Sequence, residues 1–191
     1  DVSALVLYCD GGSGHIISNH LPAFDQMLAE GVGVVALHYG VEVPVGSAAA
    51  RSMLGAIGGY FETHWSVNPH WEANYLSLPK HAISKGVRPF KQLDEWYFNM
   101  RFVAPAIGVT PILAAVAPAH TMDRWNGAHS GNEAVRKLVA GGVPQVTAWA
   151  YERPGGGRGF GYTGGHFHEN WQHEDARGLV LNAITWVADG T

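Results

Sequence analysis

The sequence predicts an α/β fold, a three-layer arrangement of a mostly parallel sheet with helices on both faces and a β-rich insertion. Three observations predict it. Short aliphatic runs at 4–9 and 32–38 each pass through a glycine-bearing turn into a helical period. The chain closes on an amphipathic helix over 174–187, where Ala176, Leu179, Val180, Ala183, Ile184 and Val187 recur at helical spacing. Between them, the segment 60–102 abandons that pattern: it is rich in aromatics and broken by Pro69, Pro79 and Pro89.

Taken in order, Ala4 to Cys9 reads as a buried core strand that ends in the turn Asp10-Gly11-Gly12-Ser13-Gly14. That turn lacks the lysine and the glycine spacing of a phosphate cradle, so no nucleotide cofactor is expected. Ser18 is placed to cap a helix with Leu21, Phe24 and Leu28 on one face, ended by Gly31. Val32 to His38 is a second buried strand. Ser47 caps a helix over 48–57, stopped by Gly58-Gly59. In the insertion, Asn74 to Leu78 and Glu95 to Phe102 read as strands, and Pro111 to Val116 as another. Ser130 with Glu133 forms a capping box for a helix carrying Val135, Leu138 and Val139. Gln145–Tyr151 and Arg158–Thr163 pair as a hairpin, with Arg153 and Arg158 solvated beside its turn.

Composition narrows the functional classes. At 191 residues, with 47% hydrophobic and 15% charged residues, the chain fits one compact domain spanning 1–191. A net charge of -4 gives no reason to expect nucleic acid or an anionic membrane as partner. No apolar run spans a bilayer and no signal peptide is visible, so the compartment stays open between cytoplasmic and exported after processing. The single cysteine, Cys9, excludes an internal disulfide and a cysteine zinc site, and reads as a small buried thiol. Eleven histidines and seven tryptophans suit a polar, aromatic-lined cleft.

The candidate chemistry gathers at strand ends. Thr163-Gly-Gly-His-Phe-His-Glu-Asn-Trp-Gln-His-Glu174 places His166, His168 and Glu169 where a strand gives way to a helix, the edge at which α/β sheets bind ligands. His38 ends the second strand at the same edge, as metal ligand or general base, against the plainer alternative of a core histidine bonded to backbone. His166 follows two glycines that let the backbone approach a ligand; the alternative is a cap for the next helix. His166 and His168, two apart, share a face and can ligate one divalent ion together with His38, zinc being the first expectation for such donors. His173 belongs to the helix start. Asp94 and Glu95 point to opposite faces of an extended segment, so one of them reaches the cleft. His64, Trp65, Trp71, Tyr39 and Trp171 are candidates to hold a sugar, through ring faces and polar tips, with ordinary packing as the alternative for each tryptophan.

Two sets of residues carry a resemblance. Ala36-Leu37-His38-Tyr39-Gly40-Val41-Glu42 resembles the nucleophile elbow of class I glutamine amidotransferases, but His38 stands where their cysteine would be, which argues against a thioester mechanism. More closely, Ala36-Leu37-His38-Tyr39 after 31–35, Gly58-Gly59-Tyr60-Phe61-Glu62-Thr63-His64-Trp65, His81-Ala82-Ile83, Asp94-Glu95-Trp96-Tyr97 and Gly164-Gly165-His166 are together similar to the ThuA-like, or trehalose-utilisation, family over nearly the whole chain. The resemblance implies the flavodoxin-like, amidotransferase-like variant of the α/β fold. It favours Glu95 of the acidic pair and a catalytic set of His38, Glu95 and His166. The family opens with a further strand and helix, and their absence here implies a gap that a partner copy would fill, hence a possible homo-oligomer.

The family link to trehalose and 3-keto-sugars implies a small-molecule carbohydrate partner. One expectation is an enzyme, metal-assisted, isomerising or hydrolysing at the carbonyl of a keto-sugar or lactone. The other is a non-catalytic carbohydrate-binding or assembly module on the same fold.

Overall fold

The computed structural model describes residues 2–190. Its elements run β1 (Ala4–Leu7), α1 (Leu21–Ala29), β2 (Gly33–Leu37), α2 (Ala48–Ile57), β3 (Gly59–Tyr60), β4 (Trp71–Tyr75), β5 (Phe90–Asp94), β6 (Arg101–Phe102), β7 (Val109–Ala115), α3 (Glu133–Ala140), β8 (Gln145–Glu152), β9 (Arg158–Tyr162) and α4 (Glu174–Ala188). The central sheet has the order β1-β2-β9-β8-β7. The pairs β1–β2 and β2–β9 are parallel, while β8 is antiparallel to both β9 and β7, so β8 alone opposes the common direction. No helix among the described residues is long and apolar enough to cross a membrane.

Strand alternation sorts the core into two layers. Val35, Leu37, Phe160 and Tyr162 face α4, packing on Leu179, Ala183 and Val187. Val34, Ala36 and Trp149 face the other way, onto Met53, Ala56 and Ile57 of α2 and Phe24 of α1. Each aliphatic or aromatic side chain fully removed from water in this way contributes about 1.5–3 kcal/mol. Close helix–sheet contact needs Gly159: a Cβ there would lie 2.1 Å from the Ala56 carbonyl oxygen.

Several helix ends follow the sequence and others do not. Ser47 accepts from Ala50 N at 3.1 Å, and Gly58 closes α2 at φ 73°. Ser18, by contrast, falls inside a short 3-10 turn over Ile16–Asn19, and His20 takes the cap position of α1. The Ser130 capping box is displaced two residues, because Asn132 accepts from Val135 N at 3.0 Å and its amide also donates to the Trp65 carbonyl, which Ser130 does not reach. His173 stands at the N-cap of α4, making no cap bond with its side chain.

Three further expectations are corrected. β1 is an edge strand, with Val6 41% exposed and Cys9 half-buried. Arg153 and Arg158 are not solvated: Arg153 donates to the Gly31 and Val32 carbonyls, and Arg158 lies over the Trp186 ring and donates to its carbonyl. In the insertion the strands are β4 and β5, an antiparallel pair from Trp71↔Asp94 to Tyr75↔Phe90, in place of 74–78 and 95–102. Trp71, Ala73 and Tyr75 point inward and Glu72 and Asn74 outward, whereas Leu76 beyond the strand is 77% exposed. Trp96, Tyr97 and Phe98 are buried in succession, which an alternating strand does not allow; of that stretch Arg101–Phe102 pairs with β3, and Phe98 makes an isolated antiparallel bridge with Val67.

Candidate active site

The carboxyl ends of β2 and β9 lie side by side, Leu37 opposite Tyr162. His38, the next residue after β2, adopts φ 49°, a conformation unusual for a residue with a Cβ. Tight packing of the turn holds it there, for a Cβ on Gly40 would fall 2.6 Å from the Leu7 carbonyl oxygen. The ring of His38 is 8% exposed as a residue and is gripped at both nitrogens. Nδ1 lies 3.0 Å from the Thr163 carbonyl oxygen, which only accepts, so Nδ1 carries the proton. Nε2 lies 3.1 Å from the Tyr97 hydroxyl and 3.3 Å from Glu95 Oε2.

Glu95 enters from the end of β5 and His166 from the loop after β9. They meet through His166 Nδ1 and Glu95 Oε2 at 3.2 Å. Ligand atoms of His38, Glu95 and His166 all fall within 4.8 Å of one another. The second Glu95 oxygen accepts from Asn68 Nδ2 at 2.9 Å, and Asn68 in turn accepts from Arg124 at 3.0 Å. His70 approaches the same oxygen at 3.9 Å. Burial would raise the Glu95 pKa, but His38, His166 and His70 together outweigh it and hold the carboxyl below its usual range.

Asp94 does a different task. It is fully buried and accepts from Gly165 N at 2.8 Å, His166 N at 3.0 Å, Asn170 Nδ2 at 2.9 Å and Glu95 N at 2.8 Å. It therefore ties the loop bearing His166 to the strand end bearing Glu95. The loop needs its glycines: Gly165 sits at φ 105°, and a Cβ on Gly164 would strike the Trp96 ring at 2.5 Å.

These groups open onto a cleft of about 1080 Å³, whose lining includes His38, Tyr39, Glu42, Tyr97, His129 and His166. Across it from Glu95, Glu42 is paired with His129, whose Nε2 lies 2.9 and 3.0 Å from its two oxygens. Burial raises the Glu42 pKa and the negative charge of Glu95 adds to it, more than His129 lowers it.

Of the residues singled out in the sequence, His38, Glu95 and His166 come together, and Tyr39 and His168 line the cleft. The group that could hold a metal ion among the described residues is His38, Glu95 and His166; His168, which opens a 3-10 segment, is not part of it. Asp94 is sealed beneath the loop. Trp71 is a core residue donating to the Trp96 carbonyl. Trp65 lies under the Arg101 guanidinium at 4.2 Å, His64 is exposed outside the cleft lining, and Trp171 packs edge-on against Tyr8. Sequence reasoning missed Glu42, Asn68, His70, Tyr97 and His129. A signal existed for Glu42, a lone carboxylate between Val41 and Val43 in an apolar run.

The donor set fits a divalent cation. A tetrahedral ion with ligands at about 2.0–2.1 Å places them roughly 3.3 Å apart. The 3.3 and 3.2 Å separations of Glu95 from His38 and His166 match that spacing. A backbone carbonyl fixing Nδ1–H is also how metal-binding histidines are oriented.

Over residues 2–187 the chain matches the family model ThuA, described as trehalose utilisation. Two solved structures are similar in fold. One is a ThuA-like protein from Bacteroides uniformis ATCC 8492, with TM-score 0.65 and 15% identity over 97% of this chain and 69% of that one. The other is a ThuA-like protein from Parabacteroides merdae ATCC 43184, with TM-score 0.61 and 16% identity over 97% of this chain and 70% of that one. No curated protein matches the chain.

Proposed function

The chain belongs to the ThuA, trehalose-utilisation, family, and from that premise we propose that it is an enzyme acting on a carbohydrate, with proton transfer or hydrolysis at the carbonyl of a keto-sugar or lactone. The observation that carries this reading is the convergence of His38, Glu95 and His166 within 4.8 Å at the carboxyl edge of the sheet, open to the cleft. In it, His38 Nε2, a Glu95 oxygen and a His166 nitrogen hold a divalent cation, zinc by the nature of the donors. When bound, such an ion polarises a carbonyl oxygen as a Lewis acid.

The chain's own groups supply the rest. Thr163 keeps the His38 lone pair directed inward through Nδ1. Asn68 holds one Glu95 oxygen so that the other faces the imidazoles. Tyr97 keeps its proton, its pKa raised by burial and then by Glu95 and Glu42, and so donates toward His38 or toward a substrate oxygen. Tyr39, 38% exposed on the cleft wall, offers a ring face to a sugar.

Elemental analysis of the purified protein beside His166→Ala tests the cation. Near-stoichiometric zinc in the wild type, lost in the variant with the circular dichroism spectrum kept, is expected. No metal in either protein after refilling with divalent ions removes the cation and leaves His38 and Glu95 as an acid–base pair. Turnover of keto-sugars or lactones that survives His166→Ala unchanged sinks the assignment. Sugar binding without turnover, kept in His38→Ala, identifies a binding module instead.

A further inference from the structure

We propose that Glu42 and His129 form a second acid–base centre of the cleft, in which His129 Nδ1 moves a substrate proton and Glu42 positions the ring. This rests on the carbonyl-processing reading above and narrows it to isomerisation of a keto-sugar, one centre serving the carbonyl oxygen and the other the adjacent carbon.

Glu42 is 4% exposed and sits between Val41 and Val43, both fully buried. A carboxylate in such a place is costly unless it is paired. Among the described residues its one ion-pair partner is His129. An arginine would make the stronger purely structural partner, being always charged and bidentate. An imidazole instead changes charge near neutral pH. Glu42, when ionised, only accepts, so His129 Nε2 carries the proton and, in the neutral ring, Nδ1 carries the lone pair. Among the described residues Nδ1 has no protein hydrogen-bond partner, and His129 lines the cleft. Phe61 stacks on the ring with centroids 5.1 Å apart at 24°, which fixes its plane.

The two centres are built into one frame. Phe61 meets Tyr97 edge-on at 5.2 Å, and the Tyr97 hydroxyl reaches His38 Nε2. The His129 carbonyl accepts from Asn68 N at 3.0 Å, and the Asn68 side chain holds Glu95. In the proposed step, Nδ1 takes the proton from the carbon next to the ketone. The C–H pair becomes the carbon–carbon double bond of an enediolate, whose oxygen faces His38, Glu95 and His166. The imidazolium, stabilised by Glu42, returns the proton to the former carbonyl carbon, while the hydroxyl proton of the carbon that lost it passes to the former ketone oxygen; the carbonyl re-forms at that carbon, and no co-reactant is consumed.

The test is deuterium exchange into 3-ketoglucose in D2O, followed by proton NMR with zinc-loaded protein, wild type beside His129→Gln. His129→Gln is expected to slow protein-dependent exchange at least about a hundredfold, with zinc content unchanged; exchange within about threefold of wild type overturns the proposal and leaves the first centre standing. No exchange by the wild-type protein overturns the proton-transfer form of the carbonyl reading, and this inference with it, and leaves hydrolysis. Nitrogen-15 NMR of the imidazoles supplies a readout that simple packing would not move. Wild-type His129 is expected to be the Nε2–H tautomer, with the preference lost in Glu42→Leu and restored in Glu42→Asp. An Nδ1–H tautomer in the wild type overturns the proposal whatever the kinetics.

Discussion

Two carboxylates face one cleft, and their surroundings drive them in opposite directions. Glu95 and Glu42 are both nearly sealed from water, their side chains 13% and 5% exposed. Burial raises the pKa of each before anything else acts. Glu95 then meets three imidazoles, and their sum reverses the effect. Glu42 meets one, and Glu95 itself pushes it further up. The difference teaches that the number of imidazoles converging on a carboxyl, more than its burial, decides the direction in which its pKa moves.

The largest expected effect comes from removing the charge at the three-imidazole centre. Glu95→Gln keeps the shape but should lower turnover on a keto-sugar by about 10²–10⁴-fold and abolish zinc binding. Full zinc retention would show that Glu95 is no ligand, and the contrast with Glu42 would lose its meaning. Next comes the anchor beneath that centre. Asp94→Ala strands the buried amides of Gly165 and His166 and should cost about 3–5 kcal/mol in urea unfolding, with zinc lost as the loop is released. Stability within ~1 kcal/mol of wild type would mean that the loop holds His166 without Asp94.

The opposite shifts predict opposite pH slopes in the metal-free protein. The folded Glu95 pKa is lowered, so its stabilisation is present above the ordinary carboxylate value of about 4.3 and is lost as pH falls through the lower folded value. The folded Glu42 pKa is raised, so its stabilisation is present below the ordinary value and is lost as pH rises through the higher folded value. Urea midpoints measured from acid to neutral pH should therefore lose part of their acid-side fall in Glu95→Gln and part of their fall toward neutral pH in Glu42→Gln. Parallel curves for the two variants would erase the comparison.

The sequence is legible where chemistry is local. Helical period and Gly58 bound α2 to the residue, and the 145–163 hairpin is readable from two strand-like runs on either side of the turn at 154–157. The strand-end positions of His38 and His166 follow from the same signals. What fails is what long-range contacts decide. Trp96, Tyr97 and Phe98 look like a strand because they are aromatic, yet the chain is packed on every side there, and pairing goes to β5 before it. Glu42 and His129 are separated by 87 residues, and nothing local marks a histidine in a small-residue loop as the partner of a carboxylate beside β2. Asp94 and Glu95 illustrate both outcomes: alternation sends one inward and one to the cleft, but only the packed loop determines that the inward one is an anchor for backbone amides.

The smallest expected effect tests the link between the two centres. Among the described residues, Tyr97 is the one side chain that touches His38 by hydrogen bond and the Phe61 support of His129 by ring contact. Tyr97→Phe keeps the ring contact and removes the hydroxyl. The loss of one neutral hydrogen bond should cost about 0.5–1.5 kcal/mol in urea unfolding. Zinc affinity should fall less than about tenfold, because Thr163 still fixes the His38 tautomer through Nδ1. Nitrogen-15 spectra should show the His38 resonances moved and those of His129 in place. A displaced His129 would mean that the hydroxyl, and not the Phe61 ring, couples the two centres, and that the two carboxylates are tuned together instead of each by its own imidazoles.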